Sequence, residues 1–172
     1  MTALYNIQRK LLRIPFWLFI GSMLLVHICL GEFFSKIIRV HNPHSIYDRY
    51  LALYILFVLV IAPVLETFVL QYLVIKIVQR LKLGNEIAVI TSAILFGLAH
   101  YNSLGYIAYA TIAGFLYAIG FIILQQRGNK AYGWICLSHM LYNLYAQLTA
   151  FIPYWLDPHK KPLNWDWYIL GF

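Results

Sequence analysis

Long apolar runs alternate with short polar stretches along the chain, and most runs approach the roughly 20 residues that an α-helix needs to cross a bilayer. Residues 87–126 carry no Asp, Glu, Lys or Arg and provide the length for two crossings joined near residues 101–105. The other apolar runs occupy residues 14–30, 50–75 and 131–152. This pattern predicts an all-α, polytopic transmembrane helical bundle with about five membrane-spanning helices. We expect residues 1–172 to form a single integral-membrane domain.

Two stretches outside these runs predict segments that lie in the membrane interface. In residues 32–39, apolar side chains recur at helical spacing around two basic residues, which is typical of a short interfacial helix. The tail, residues 153–172, mixes tryptophans and tyrosines with charges, which predicts an interfacial aromatic segment. The run at 14–30 is long for a signal peptide and is followed by no small-residue cleavage site, so we interpret it as a retained first span.

The composition excludes a soluble globular domain, because 62% of the residues are hydrophobic, 11% are charged and the mean hydropathy is +0.72. The formal charge of +7 does not indicate nucleic-acid binding, since the basic residues are confined to short stretches between apolar runs, where they meet anionic lipid headgroups. The predicted crossings place eight Lys and Arg on the side of the N-terminus and five on the other side. The positive-inside rule therefore predicts a cytoplasmic N-terminus.

Four polar residues inside the apolar runs are candidates for chemistry. Glu66 is the only charged residue between Arg49 and Lys76, and an ionised carboxylate in a span is costly enough to mark a functional site. Phe96 precedes His100 by four residues, so these two side chains share a helix face. The same spacing separates the other two candidates, which are His139 and Asn143.

Depth provides a second argument for a common site. At about 1.5 Å of rise per residue, Glu66 lies roughly 15 Å from Lys76, and His100 roughly 21 Å from Glu86. His139 and Asn143 lie roughly 13 and 20 Å from Lys130 on the same measure. All four side chains can therefore meet at one level within the membrane. Pro63, one turn before Glu66, predicts a bent helix with a freed carbonyl group that must be satisfied inside the bundle.

A carboxylate, two histidines and an asparagine in a water-poor setting suit hydrolysis, because Glu66 can take a proton from water and His100 can help to hold that water. Zinc is an alternative that uses Glu66, His100 and His139 as ligands and leaves an open position. Taken singly, a buried histidine or asparagine is more often a hydrogen-bonding residue between helices. The shared order and depth favour a functional site over that reading.

Three short motifs resemble those of a known family. Pro63-x-x-Glu66, Phe96-x-x-x-His100 and His139-x-x-x-Asn143 are similar to the motifs of the CPBP intramembrane proteases, the CAAX proteases and bacteriocin-processing enzymes also called the Abi family. The resemblance covers roughly residues 50–150, which we take as the protease-like core. It implies that Glu66 and His100 activate water, that His139 and Asn143 stabilise the oxyanion, and that no metal or other cofactor takes part.

The first motif departs from the family pattern. The family has two glutamates followed by an arginine, whereas this chain has Glu66, then Thr67, and Gln71 in place of the arginine. Thr67 and Gln71 are four residues apart, so the sequence predicts that a neutral pair has replaced an ion pair. We expect this pair, with Phe96, to support the site.

The resemblance implies an intramembrane endopeptidase of the bacterial plasma membrane that cleaves a membrane-associated protein or peptide with activated water. The alternative is a non-catalytic protein of the same fold, such as a bacteriocin self-immunity factor or a scaffold, in which the polar cluster only packs helices together. A proton-coupled transporter has little support, because the chain contains no repeated halves.

Overall fold

The computed structural model describes residues 9–37, 53–101 and 103–156 of the chain. Five helices account for most of this part, and the described residues form no strand. The helices are α1 (Phe16–Ser35), α2 (Leu53–Arg80), α3 (Gly84–Ala99), α4 (Leu104–Gln126) and α5 (Ala131–Leu156). The predicted all-α helical bundle is confirmed.

Within the described residues, α1, α2 and α4 are long and apolar enough to cross a membrane. Helix α3 is apolar but has only 16 residues. Helix α5 has 26 residues but is not among the helices that satisfy both the length and the hydropathy of a span. The multi-pass membrane architecture is therefore supported by three spans, and crossings by α3 and α5 stay predictions.

Three helices end later than the predicted boundaries, and one of them is α2, which ends at Arg80 and not at residue 75. Helix α1 continues through Ser35, so the first part of the predicted interfacial helix extends the first span instead. The Phe34 ring packs 5.6 Å from the Tyr109 ring, which holds this last turn against α4. Helix α5 continues past Pro153 to Leu156. The remainder of the predicted interfacial helix from residue 38, and the tail from residue 157, lie outside the described residues.

Ring contacts establish how α1 runs against its neighbours. Phe16 lies 5.0 Å from Trp134 near the start of α5, and His27 stacks 3.6 Å from Tyr142 later in α5, so α1 and α5 run parallel. The guanidinium carbon of Arg127, directly after α4, lies 5.0 Å from the centre of the Phe19 ring. Since Phe34 meets Tyr109 near the start of α4, α1 and α4 run antiparallel.

Helix α2 is not a regular α-helix. Its segments Phe57–Ile61 and Thr67–Leu73 are π-helical and flank an α-helical turn, Ala62–Glu66, that contains Pro63. The Ala62 N–H donates to the carbonyl of Phe57, five residues earlier. π-Helical turns of this kind are common at functional sites, and here two of them border Glu66.

Helices α3 and α4 pack closely through small residues. The row Ala110, Gly114 and Ala118 is buried along α4. A Cβ atom added to Gly114 would lie 2.9 Å from Phe96 Cβ and 3.0 Å from Ala93 Cα. The row therefore lets α3 approach α4, as expected for small residues between membrane helices.

We expect Gly114→Ala to destabilise the fold by about 1–3 kcal/mol, because α3 and Phe96 must move to accept the methyl group. Thermal unfolding in detergent measures the effect. Gly133→Ala is the matched control, since it makes the same change in a helix where an added Cβ meets nothing within 4 Å. Equal melting temperatures for the two variants would contradict the proposed contact.

Candidate active site

Glu66, His100 and His139 converge from three different helical elements. Glu66 ends the α-helical turn of α2, His100 directly follows α3, and His139 lies in α5. Glu66 Oε2 lies 3.8 Å from His100 Nε2 and 3.8 Å from His139 Nε2. The exposed fractions of the three side chains are 12%, 6% and 7%. Among the described residues, Glu66 Oε2 has no hydrogen-bond partner. The structure thus places an unpaired carboxylate oxygen between two imidazoles.

The ring of His100 is oriented by a bond to its own helix. Its Nδ1 lies 2.6 Å from the carbonyl oxygen of Phe96. Because a carbonyl oxygen only accepts, Nδ1 carries the hydrogen in this contact. In the neutral ring, Nε2 then has a free lone pair, and this is the atom that faces Glu66.

Aromatic rings hold His139. Its ring centre lies 5.8 Å from that of Phe96 and 5.1 Å from that of Tyr117. Phe96 also lies 4.7 Å from His100, so one phenyl ring contacts both histidines. Among the described residues, His139 Nδ1 has no hydrogen-bond partner. Phe96 therefore lies beside both histidines, and its supporting role stays a prediction.

Asn143 donates to a backbone carbonyl of α2 that has no donor within its own helix because of Pro63. In the π-helical register that joins Ala62 to Phe57, the next donor would be residue 63, which as proline has no N–H. The acceptor left over is the carbonyl of Val58, and Asn143 Nδ2 donates to it at 2.9 Å. This bond satisfies the freed carbonyl that the sequence predicted. One amide hydrogen of Asn143 is left for a further contact.

The structure does not contain the predicted contact between the side chains of Thr67 and Gln71. Gln71 instead contacts the two neighbouring helices, with Oε1 2.7 Å from Ser92 Oγ and Nε2 donating to the carbonyl of Gly114 at 3.5 Å. Thr67 Oγ1 is buried and has no hydrogen-bond partner in the described part of the chain. The physical reason is the π-helical segment that begins at Thr67, since side chains four residues apart no longer align there as in an α-helix.

A polar network that the sequence did not predict lies next to the site. His27 Nε2 lies 3.0 Å from Tyr109 OH, and His27 Nδ1 lies 2.8 Å from Tyr117 OH. The Tyr109 hydroxyl also donates to Tyr142 OH at 2.5 Å. Through the ring of Tyr117, this network reaches His139. The only signal in the sequence was a lone histidine in an apolar run.

A cavity of about 80 Å³ borders the site, which is room for several water molecules. His100, His139 and Asn143 line its inner end, and further residues of α1, α4 and α5, together with Val58 and Phe96, form the rest of its wall. Water can therefore be accommodated next to both histidines. Over the described ranges, no group of three or more His, Cys, Asp or Glu residues has the arrangement of a metal site. Zinc binding by Glu66, His100 and His139 stays a prediction.

The family model described as type II CAAX prenyl endopeptidase Rce1-like matches residues 48–145, more than half of the chain. This range contains all four residues of the candidate site. No curated protein and no solved structure matches the chain. The order of the motifs, the convergence of Glu66, His100 and His139 and the matched range agree, and the chain belongs to the Rce1-like family of type II CAAX prenyl endopeptidases.

Proposed function

We propose that this protein is an intramembrane endopeptidase that hydrolyses a peptide bond of a membrane-associated protein or peptide. The observation that carries the proposal is the position of Glu66 Oε2, 3.8 Å from the Nε2 atoms of both His100 and His139. Membership in a protease family supports a peptidase at the family level. The substrate is presented within or beside the lipid bilayer, in the bacterial plasma membrane, with the N-terminus in the cytoplasm.

The geometry of Glu66 and His100 supports the proposal that these two side chains activate water. Two acceptor atoms 3.8 Å apart are close enough for one water molecule beside them to donate a hydrogen bond to each. Glu66 takes a proton as the water oxygen bonds to the scissile carbonyl carbon. The same proton then passes to the amide nitrogen, the C–N bond breaks, and the products are a carboxylic acid and an amine.

His139 and Asn143 stabilise the negative charge on the carbonyl oxygen during this attack. Among the described residues, His139 Nδ1 has no hydrogen-bond partner and Nε2 lies 3.8 Å from Glu66 Oε2, so a ring nitrogen is available for the substrate. Asn143 uses one amide hydrogen on Val58 and can offer the other. Donors that are fixed before the reaction stabilise an oxyanion effectively in a dry site.

A second candidate function is non-catalytic. The bonds of Asn143 to Val58 and of Gln71 to Gly114 join helices, so the polar residues also serve packing. A bacteriocin self-immunity factor or a scaffold would need only this packing and a partner protein in the membrane. The variants below separate packing from catalysis.

Glu66→Gln is expected to lower the cleavage rate by about 10²–10⁴-fold, because an amide cannot take the proton from water. A quenched-fluorescent peptide library with the purified protein in nanodiscs measures the rate. Glu86→Gln is the matched control, since it removes the same charge from the exposed first turn of α3. Equal rates for the two variants, with both proteins folded, would favour the non-catalytic function.

Cleavage is expected to persist after treatment with a chelator, because the proposed water activation uses side chains alone. The measurement is the rate before and after dialysis against the chelator, then after addition of Zn²⁺. Loss of cleavage that zinc restores would instead assign Glu66, His100 and His139 as ligands of a catalytic zinc ion.

A substitution at Pro63 separates the packing role of Asn143, its bond to the Val58 carbonyl, from its proposed role in stabilising the oxyanion. Asn143→Ala is expected to destabilise the fold by about 1–3 kcal/mol by leaving the Val58 carbonyl unsatisfied. In a Pro63→Ala background, residue 63 regains its N–H and can serve that carbonyl, so the stability cost should shrink. The loss of cleavage, about 10²–10³-fold for an oxyanion donor, should persist in both backgrounds.

Thermal unfolding and peptide cleavage are measured on four proteins, which are the wild type, Asn143→Ala, Pro63→Ala and the double variant. If cleavage recovered together with stability in the Pro63→Ala background, Asn143 would be a packing residue only.

A further inference from the structure

The cavity beside the site extends toward one end of the bundle. Its lining residues fall within 27–35 of α1, 106–113 of α4 and 139–149 of α5, apart from Val58 of α2 and from Phe96 and His100 at the end of α3. Because α1 runs parallel to α5 and antiparallel to α4, these three stretches lie at the same end. That end is opposite to Phe16, the first residue of α1. The cavity thus leads away from the membrane face where the N-terminal end of α1 lies.

The outer part of the cavity carries one formal charge. Glu32 is exposed and is the only Asp, Glu, Lys or Arg among the described residues that line the cavity. The Tyr145 hydroxyl donates to Glu32 Oε1 at 2.9 Å, which holds the carboxylate over the space between α1 and α5. Ser35 and Thr149 are further polar residues of the lining at this end. Glu32 therefore makes this end of the cavity more attractive to a cation than to an anion.

The spacing between the entrance and the site suits an extended peptide. Tyr145 is six residues after His139 on α5, which corresponds to about 9 Å along the helix axis. An extended chain advances about 3.3 Å per residue, so about three residues of substrate span this distance. A side chain three residues from the scissile bond would then lie next to Glu32.

We propose that the substrate polypeptide enters from the membrane face opposite to the N-terminus of α1, and that a Lys or Arg about three residues from the scissile bond pairs with Glu32. The proposal rests on the proposed peptidase function. It gives the substrate class as a polypeptide with a basic residue near the cleavage site. Glu32 acts as a specificity-determining residue, because it contacts the substrate away from the reacting atoms.

The direction of entrance can be tested without any activity. In a Cys29→Ser/Cys136→Ser background, Ala146→Cys places a thiol in the cavity wall, and Lys130→Cys places one at the other end of the bundle. A charged, membrane-impermeant maleimide is added to either face of sealed vesicles. We expect Ala146→Cys to react from the face opposite to the one that labels Lys130→Cys. Reaction from the Lys130 face, or from neither face, would overturn the proposed entrance.

The specificity of Glu32 is tested with peptides that carry Lys, Gln or Glu three residues before or after the cleaved bond. The wild-type protein should prefer Lys over Gln by up to about fivefold, as expected for a partly exposed ion pair. Glu32→Gln should abolish the preference, and Glu32→Lys should invert it toward Glu. Glu86→Gln is the control and should keep the wild-type preference.

These outcomes separate the two proposals. If the wild-type protein cleaves peptides but Glu32→Gln keeps the preference for Lys, the role of Glu32 is refuted and the peptidase function stands. If the wild-type protein cleaves no peptide, the peptidase function fails and with it the role of Glu32, while maleimide labelling still decides the direction in which the cavity opens.

Discussion

The carboxyl group of Glu66 has to be accommodated inside an apolar membrane helix, and the surrounding bundle is arranged to do so. A carboxylate at such a depth costs several kcal/mol unless polar groups lie near it. The chain ends α3 directly before His100 and places His139 on α5, so that both Nε2 atoms lie 3.8 Å from the same oxygen of Glu66. The distances are too long for direct hydrogen bonds. They leave the carboxyl group near polar partners and still able to react with water.

The irregular backbone of α2 links the site to the packing of the bundle. Pro63 interrupts the backbone hydrogen bonds of α2. The π-helical segments on either side change the directions in which the side chains of Glu66 and Gln71 leave the helix. The carbonyl of Val58 is satisfied from α5 by Asn143, and Gln71 bonds to α4. Each contact holds another helix against α2. The same proline that makes the turn before Glu66 irregular therefore creates the acceptor that fixes α5, the helix that carries His139.

The order and depth of the polar residues were enough to predict that Glu66, His100 and His139 meet, because helix rise is constant and a spacing of four residues keeps two side chains on one face. The partners of Gln71 could not be predicted in this way, since they depend on a π-helical segment that has no sequence signal of its own. The network of His27 was missed for a related reason. Its partners are three of 14 tyrosines, and nothing in their spacing distinguishes them.

A double-mutant cycle of cleavage rates tests most directly whether Glu66 and His100 act on one water molecule. The four proteins are the wild type, Glu66→Gln, His100→Ala and the double variant, all measured with one peptide in nanodiscs. Residues that act as a unit have non-additive effects, so the double variant should be no more than about threefold slower than the slower single variant. Rate losses that multiply in the double variant would show that the two side chains act independently and would contradict the shared water.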